Sequence, residues 1–204
     1  VLGGTFNPPT LGHLAIARYA REQLGLERVA LVPAGSPPHK QIAGDPGPQR
    51  RLEMCELLVR GAEGLSVCAI ETERDGPSYT VDTLRELHER DPETELTVIV
   101  GADVAGTLPS WREPLELLAL ARIAVAARPG SDRSAVRDAL ASLGGLERAS
   151  FLDAPLIDIS SSRAREQAAA GEPIARLVGA DVAKYVAEHA LYGAGAGAGA
   201  RAAS

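Results

Sequence analysis

Gly3-Gly4-Thr5-Phe6-Asn7-Pro8-Pro9-Thr10-Leu11-Gly12-His13 follows Val1-Leu2 at the head of the chain. These residue types describe a strand end, a tight loop and a helix start. Glycines let backbone amides come close to an anion, and a helix beginning near Gly12 aims its unpaired N–H groups at the same place. Thr10 and His13 stand three residues apart, so they share one face of that helix mouth. His13 can also carry a proton near neutral pH. A strand that ends in a phosphate cradle opens an α/β nucleotide-binding fold.

Working outward, short β-rich runs alternate with helical patterns. Val1–Leu2, Arg28–Val32, Ser66–Ile70, Leu96–Val100, Ile123–Ala127 and Ser150–Leu152 read as strands. Helices are expected around Gly12–Leu24, Gln49–Arg60, Thr80–Arg90, Glu113–Ala119 and Arg133–Leu143, with two more near Ser162–Ala170 and Ala180–Ala190. Leu52, Cys55, Leu58 and Val59 form an apolar stripe on the second helix, and Val81, Leu84 and Leu87 on the third. Runs such as Thr97-Val98-Ile99-Val100 suit strands buried on both faces. Together these patterns predict a doubly wound, mostly parallel α/β sheet of Rossmann type with helices on both faces. Such sheets bind ligands beyond the carboxyl ends of their strands. Gly3-Gly4, Pro33-Ala34-Gly35, Gly101-Ala102-Asp103 and Arg128-Pro129-Gly130 all fall at strand ends and should share one crevice.

At 204 residues the chain suits one domain, expected to span 1–192, followed by a Gly/Ala-rich tail over 193–204 with too little bulk to order. Hydrophobic residues make up 45% but aromatics only 3%, so the core is aliphatic and each aromatic position is informative. A net charge of −6 argues against a broad nucleic-acid surface, which needs clustered Lys and Arg. A small anionic ligand needs only a few local cations. Cys55 and Cys68 lack metal spacing and read as packed or surface thiols. No apolar run approaches the ~20 residues of a membrane span and no secretory signal is read, so a cytoplasmic protein without membrane contact is expected. A homo-oligomer is compatible with these features.

Neither G-x-x-x-x-G-K-[ST] nor G-x-G-x-x-G occurs at the first strand, which argues against a P-loop NTPase and a dinucleotide dehydrogenase. The opening segment instead resembles the (T/H)-x-G-H signature of the nucleotidylyltransferase superfamily. More specifically, it is similar to bacterial nicotinate-nucleotide adenylyltransferases. Pro37-Pro38-His39-Lys40, Ser78-Tyr79-Thr80 through Asp82-Thr83-Leu84, Gly101-Ala102-Asp103, Trp111, Arg128-Pro129-Gly130 and Ile159-Ser160-Ser161-Ser162 occur in that family's order. The likeness runs from Val1 to about Tyr192. It departs from the pattern at Thr10, where the family usually has His, at Asn7, where Asp is frequent, and at Ala164, where a larger apolar residue is usual.

The resemblance implies roles residue by residue. Catalysis would rest on His13, Thr10, Lys40 and Arg165, with Mg²⁺ accompanying ATP and no metal held by the protein alone. ATP would be bound by Gly3, Gly4, Thr5, Phe6, Gly12, His13, Gly101, Asp103, Ile159, Ser161, Ser162 and Arg165. Nicotinate mononucleotide would be bound by Ser78, Tyr79, Thr80, Trp111, Arg112 and Arg128. Read from the residues, several of these have a plainer meaning too. Asp103 can cap a short helix, Ser78 or Thr80 can cap the helix they open, and one of Ser160–Ser162 can cap the next. Trp111 is the only Trp and sits among Pro109, Arg112 and Pro114, a loop setting in which stacking on a pyridine ring is reasonable. Arg50 and Arg51 begin an amphipathic helix and are expected to be mostly solvated.

The implied reaction is ATP plus nicotinate mononucleotide giving nicotinate adenine dinucleotide and pyrophosphate. The attacking phosphate is already anionic, with a second pKa of about 6, so no strong general base is needed. That accounts for the lack of a nucleophile–His–carboxylate pattern. Alternatives are an enzyme acting on nicotinamide mononucleotide or phosphopantetheine, or a nucleotide-binding regulatory module without catalysis.

Overall fold

The computed structural model describes residues 1–37, 44–127, 132–153 and 159–194. Its parallel sheet has the order β3-β2-β1-β4-β5-β6, with β1 at Leu2–Gly4, β2 at Val29–Pro33, β3 at Leu65–Val67, β4 at Leu96–Gly101, β5 at Ala121–Ala126 and β6 at Ala149–Leu152. This is the expected doubly wound arrangement, and its switch point lies between β1 and β4. β1 stays paired with β2 as far as Gly4↔Pro33. Its register with β4 contains the pair Leu2↔Ile99 alone. The two central strands therefore part just where their carboxyl ends meet solvent, and the crevice opens there.

Side chains along the strands alternate between two cores, as a period of two requires. Leu2, Leu31, Ile99, Ala124 and Leu152 face the first core, which α1 (Leu11–Leu24), α2 (Pro48–Val59), α7 (Ser161–Ala169), α8 (Ala175–Val178) and α9 (Ala180–Glu188) cover. Val98, Val100, Ile123 and Val125 face the second, under α3 (Thr80–Arg90), α4 (Ala102–Ala105), α5 (Pro114–Leu120) and α6 (Arg133–Ser142). Each fully buried aliphatic side chain contributes about 1.5–3 kcal/mol. Gly12, Ala17 and Ala20 form the buried stripe of α1, small enough to bring that helix close against the sheet. Gly25 closes α1 at φ 62°, a left-handed turn that favours glycine.

Several boundaries differ from the sequence reading. The predicted strand Ser66–Ile70 ends at Val67. Cys68 N–H still bonds Leu31 O at 2.9 Å, after which the chain turns, and Ile70 is buried from that turn at 2% exposure. Apolar content marked burial there and not extension. β1 takes in both glycines, β5 starts at Ala121, and the short helices α4 and α8 carry too few turns to leave a periodic signal. The tail after 194 and the Pro38-His39-Lys40 and Arg128-Pro129-Gly130 segments lie outside the described residues.

Candidate active site

The loop after β1 feeds α1 through a reciprocal cap. Thr10 is the N-cap, 1% exposed, and its Oγ1 accepts the His13 N–H at 3.4 Å. In return His13 Nδ1 accepts the Thr10 backbone N–H at 3.0 Å and lies 2.8 Å from Thr10 Oγ1. This is a capping box with histidine in the place usually held by Glu or Gln. A backbone N–H can only donate, so Nδ1 presents its lone pair and the neutral ring carries its proton on Nε2. The edge of the ring meets Phe6 at 5.0 Å, which limits its rotation. Phe6 itself sits at φ 50°, an uncommon conformation for a non-glycine residue.

Beneath this loop lies a residue that the sequence reading placed in solvent. Arg51 is 0% exposed. Its guanidinium donates to Thr5 O at 2.9 Å, Ala34 O at 2.5 Å, Gly35 O at 3.1 Å and Asp45 Oδ1 at 3.0 Å. The fork thus ties the end of β1 to the end of β2, the two backbones that floor the crevice. Arg51 shares a helical face with Cys55 and Leu58, at i+4 and i+7, and that spacing was the signal for its burial. Arg50 is exposed, as expected.

From the other end of the chain, α7 braces the same loop. Ser160 caps α7 by accepting the Arg163 N–H at 3.2 Å. Ser161 Oγ donates to Pro8 O at 2.8 Å, and Arg165 donates to Asn7 O at 2.7 Å and to Ser162 Oγ at 3.2 Å. Tyr192 adds a bond to Asn7 Oδ1 at 2.5 Å, while the Asn7 amide nitrogen is buried with no partner. Burial pushes the Tyr192 phenol well above its usual range. Here Ser161 and Arg165 serve the loop backbone, and Ile159 packs on the first core.

Gly3, Gly4, Thr5, His13, Gly101, Asp103, Ser78, Thr80 and Trp111 come together on one cleft of about 380 Å³ at the β1/β4 switch point. Asp103 lies in the first turn of α4, whose N-cap is Gly101, so it does not cap that helix. An adjoining recess of about 270 Å³ joins Tyr79, Thr80, Trp111 and Arg112. Neither Ser78 nor Thr80 caps α3. Its N-cap is Tyr79 and no side chain bonds there, which leaves the mouth of the helix open to an anion. Trp111 packs partly on the second core and donates from Nε1 to Thr107 Oγ1 at 3.0 Å. Arg112 lies 4.8 Å over the Tyr79 ring and 3.6 Å from Asp82. Arg85 bonds Asp82 at 2.8 Å and Glu116 at 2.6 Å, so the Trp111–Arg112 loop is laced to α3 by ion pairs. Lys40 and Arg128 lie outside the described residues, and Phe6, Thr10 and Gly12 back the cleft without lining it.

Among the described residues no group of three or more His, Cys, Asp or Glu side chains is placed to hold a metal ion. Nor, among them, is any helix long and apolar enough to cross a membrane. Both cysteines are free thiols, with Cys55 buried and Cys68 half-buried.

The family model described as cytidylyltransferase-like matches residues 1–167. A relative from Gloeobacter violaceus, named a probable nicotinate-nucleotide adenylyltransferase, is 40% identical over 203 residues, covering 97% of either chain. Another so named, from Roseiflexus sp., is 41% identical and covers 94% of this chain and 96% of its own. A solved Plasmodium falciparum nicotinic acid mononucleotide adenylyltransferase, complexed with NaAD, superposes with a TM-score of 0.77 at 18% identity, covering 96% of this chain and 97% of that one. At that identity the likeness speaks for the fold. A switch-point cleft flanked by the Thr10–His13 cap, together with these full-length relatives, places this chain in the nicotinate-nucleotide adenylyltransferase family of cytidylyltransferase-like enzymes.

Proposed function

We propose that this protein transfers the adenylyl group of ATP to nicotinate mononucleotide, forming nicotinate adenine dinucleotide and pyrophosphate on the route to NAD. The observation that carries this reading is the junction of two anion sites in one cleft: the glycine loop with His13 Nε2 on one side, and the uncapped mouth of α3 beside Trp111 on the other. An oxygen of the mononucleotide phosphate attacks the α-phosphorus of ATP, and the bond to the bridging oxygen of pyrophosphate breaks. The nucleophile arrives as an anion, so the protein has to align the two phosphates and stabilise charge on the transferring group. His13 donates from Nε2 to that group, and the amides at Gly4-Thr5 assist. On the resemblance alone, Lys40 is assigned to the phosphates and Arg128 to the nicotinate mononucleotide. Arg165 acts on the loop from behind through Asn7 O.

Mg²⁺ fits as a companion of the nucleotide. It is bound by one or two carboxylates plus substrate phosphates and water, and Asp103 is a carboxylate on the cleft. The metal would neutralise charge on the triphosphate. Stacking on Trp111 and a carboxylate seated at the amides of α3 favour nicotinate over nicotinamide.

Pyrophosphate release measured with ATP, Mg²⁺ and each acceptor in turn tests the reading. Turnover is expected with nicotinate mononucleotide, more weakly with the amide, and not with phosphopantetheine. ATP binding without turnover on any acceptor would favour a regulatory module. In the same assay Trp111→Ala should raise KM for the mononucleotide by roughly tenfold, on the scale of one lost aromatic contact and its buried area. An unchanged KM would return Trp111 to a packing role.

A further inference from the structure

One carboxylate on the wall of the cleft plays no part in the chemistry above. Glu71 lies in the turn region after β3, is 8% exposed and borders the main cleft. Its Oε1 accepts the Thr83 hydroxyl from α3 at 2.7 Å. Ser78 Oγ in turn accepts the Gly35 N–H at 2.9 Å and the Ser36 N–H at 3.2 Å. Arg74 donates to Thr83 Oγ1 at 3.0 Å and to Glu86 at 3.3 Å.

Counting protons fixes the direction of every bond. A hydroxyl has one proton and two lone pairs. Both lone pairs of Ser78 Oγ are taken by backbone amides, which joins the chain before α3 to the end of β2. Thr83 Oγ1 receives Arg74 and gives its proton to Glu71. Leaving that buried hydroxyl without its acceptor would cost the desolvation of a polar group. Backbone packing reinforces the contact. A Cβ at Gly35 would stand 2.0 Å from Glu71 O, so glycine alone permits this approach. Ser78 N–H closes the join on Ser36 O at 2.8 Å.

We infer that Glu71 is a positioning residue for the acceptor: through Thr83 it holds the first turn of α3 against the end of β2, and so sets where the mononucleotide carboxylate and ring meet the Thr80 amide and Trp111. Glu71 touches no substrate itself. The inference rests on the adenylyl-transfer reading.

Glu71→Gln tests it with little change of shape. The new amide keeps one acceptor oxygen but removes the charge, so the bond from Thr83 loses its charge assistance. KM for nicotinate mononucleotide should rise roughly tenfold, the scale of one charge-assisted hydrogen bond. KM for ATP and kcat should stay within about twofold, since the phosphate loop is held by other groups. Thr83→Val should act in the same direction, and the double variant should be no worse than the more impaired single, because both residues work through one contact. Thermal unfolding checks that each variant is folded, and Thr83→Val carries the test if Glu71→Gln is not. An unchanged acceptor KM in a folded variant, an equal rise for ATP, or additive single effects would overturn the role. Wild-type protein that releases no pyrophosphate with nicotinate mononucleotide removes the functional reading and this role together. Active wild type beside an equally active Glu71→Gln removes the role alone.

Discussion

Replacing His13 by alanine is expected to lower kcat by roughly 10²–10³, the scale of losing one preorganised donor to a transition state. The Thr10 N–H occupies Nδ1 at 3.0 Å, so Nε2 is the ring's outward donor. Its orientation is set before substrate arrives, by the cap and by the edge contact with Phe6 at 5.0 Å. KM for ATP should change less than kcat, because the donor gains most as charge moves on the transferring phosphate. The substitution also removes the acceptor for Thr10 N–H. A loss of one cap bond costs about 0.5–2 kcal/mol of stability, and thermal unfolding separates that from the kinetic effect. Near-full turnover in steady-state assays of the folded variant would remove His13 from the chemistry.

Arg51→Met should destabilise the protein by about 3–5 kcal/mol, because three carbonyls lose a buried, charged donor at about 1–3 kcal/mol each. Methionine fills much of the volume but donates nothing. The carbonyls of Thr5, Ala34 and Gly35 lose a buried donor, and Asp45 loses the guanidinium 3.0 Å away. For a chain of this length the melting temperature should fall on the order of 10 °C. Arg51→Lys keeps the charge but lacks the planar fork that reaches several carbonyls at once, so it should fall between the two. Denaturant unfolding that puts Arg51→Met within about 1 kcal/mol of wild type would be incompatible with a clamp.

These two residues show which parts of the site were legible in the chain. His13 could be found because its partner Thr10 is three residues away and the whole cap is local. Its tautomer was not legible, since that depends on where the Thr10 N–H points. Arg51 was misread because charge suggested solvent, although its spacing to Cys55 and Leu58 pointed inward. Ser78 was read as a mononucleotide-binding residue that could also cap α3; it does not cap the helix, and its hydroxyl takes two amides from the end of β2. Nothing in the sequence signalled that Arg165 donates to the Asn7 carbonyl. In each case the backbone partner lies 16 or more residues away in the chain, beyond the reach of any local pattern.

Residue order alone settled the alternation of strands and helices, the parallel sheet and the capped loop that opens α1. These follow from hydrophobic period and from turn and cap chemistry, which act over a few residues. Only the folded chain decided which polar groups are consumed in bracing the cleft and which remain to face a ligand. A buried donor or acceptor must be paired. Its partner is whichever group the packing of β1, β2, α3 and α7 brings within about 3 Å.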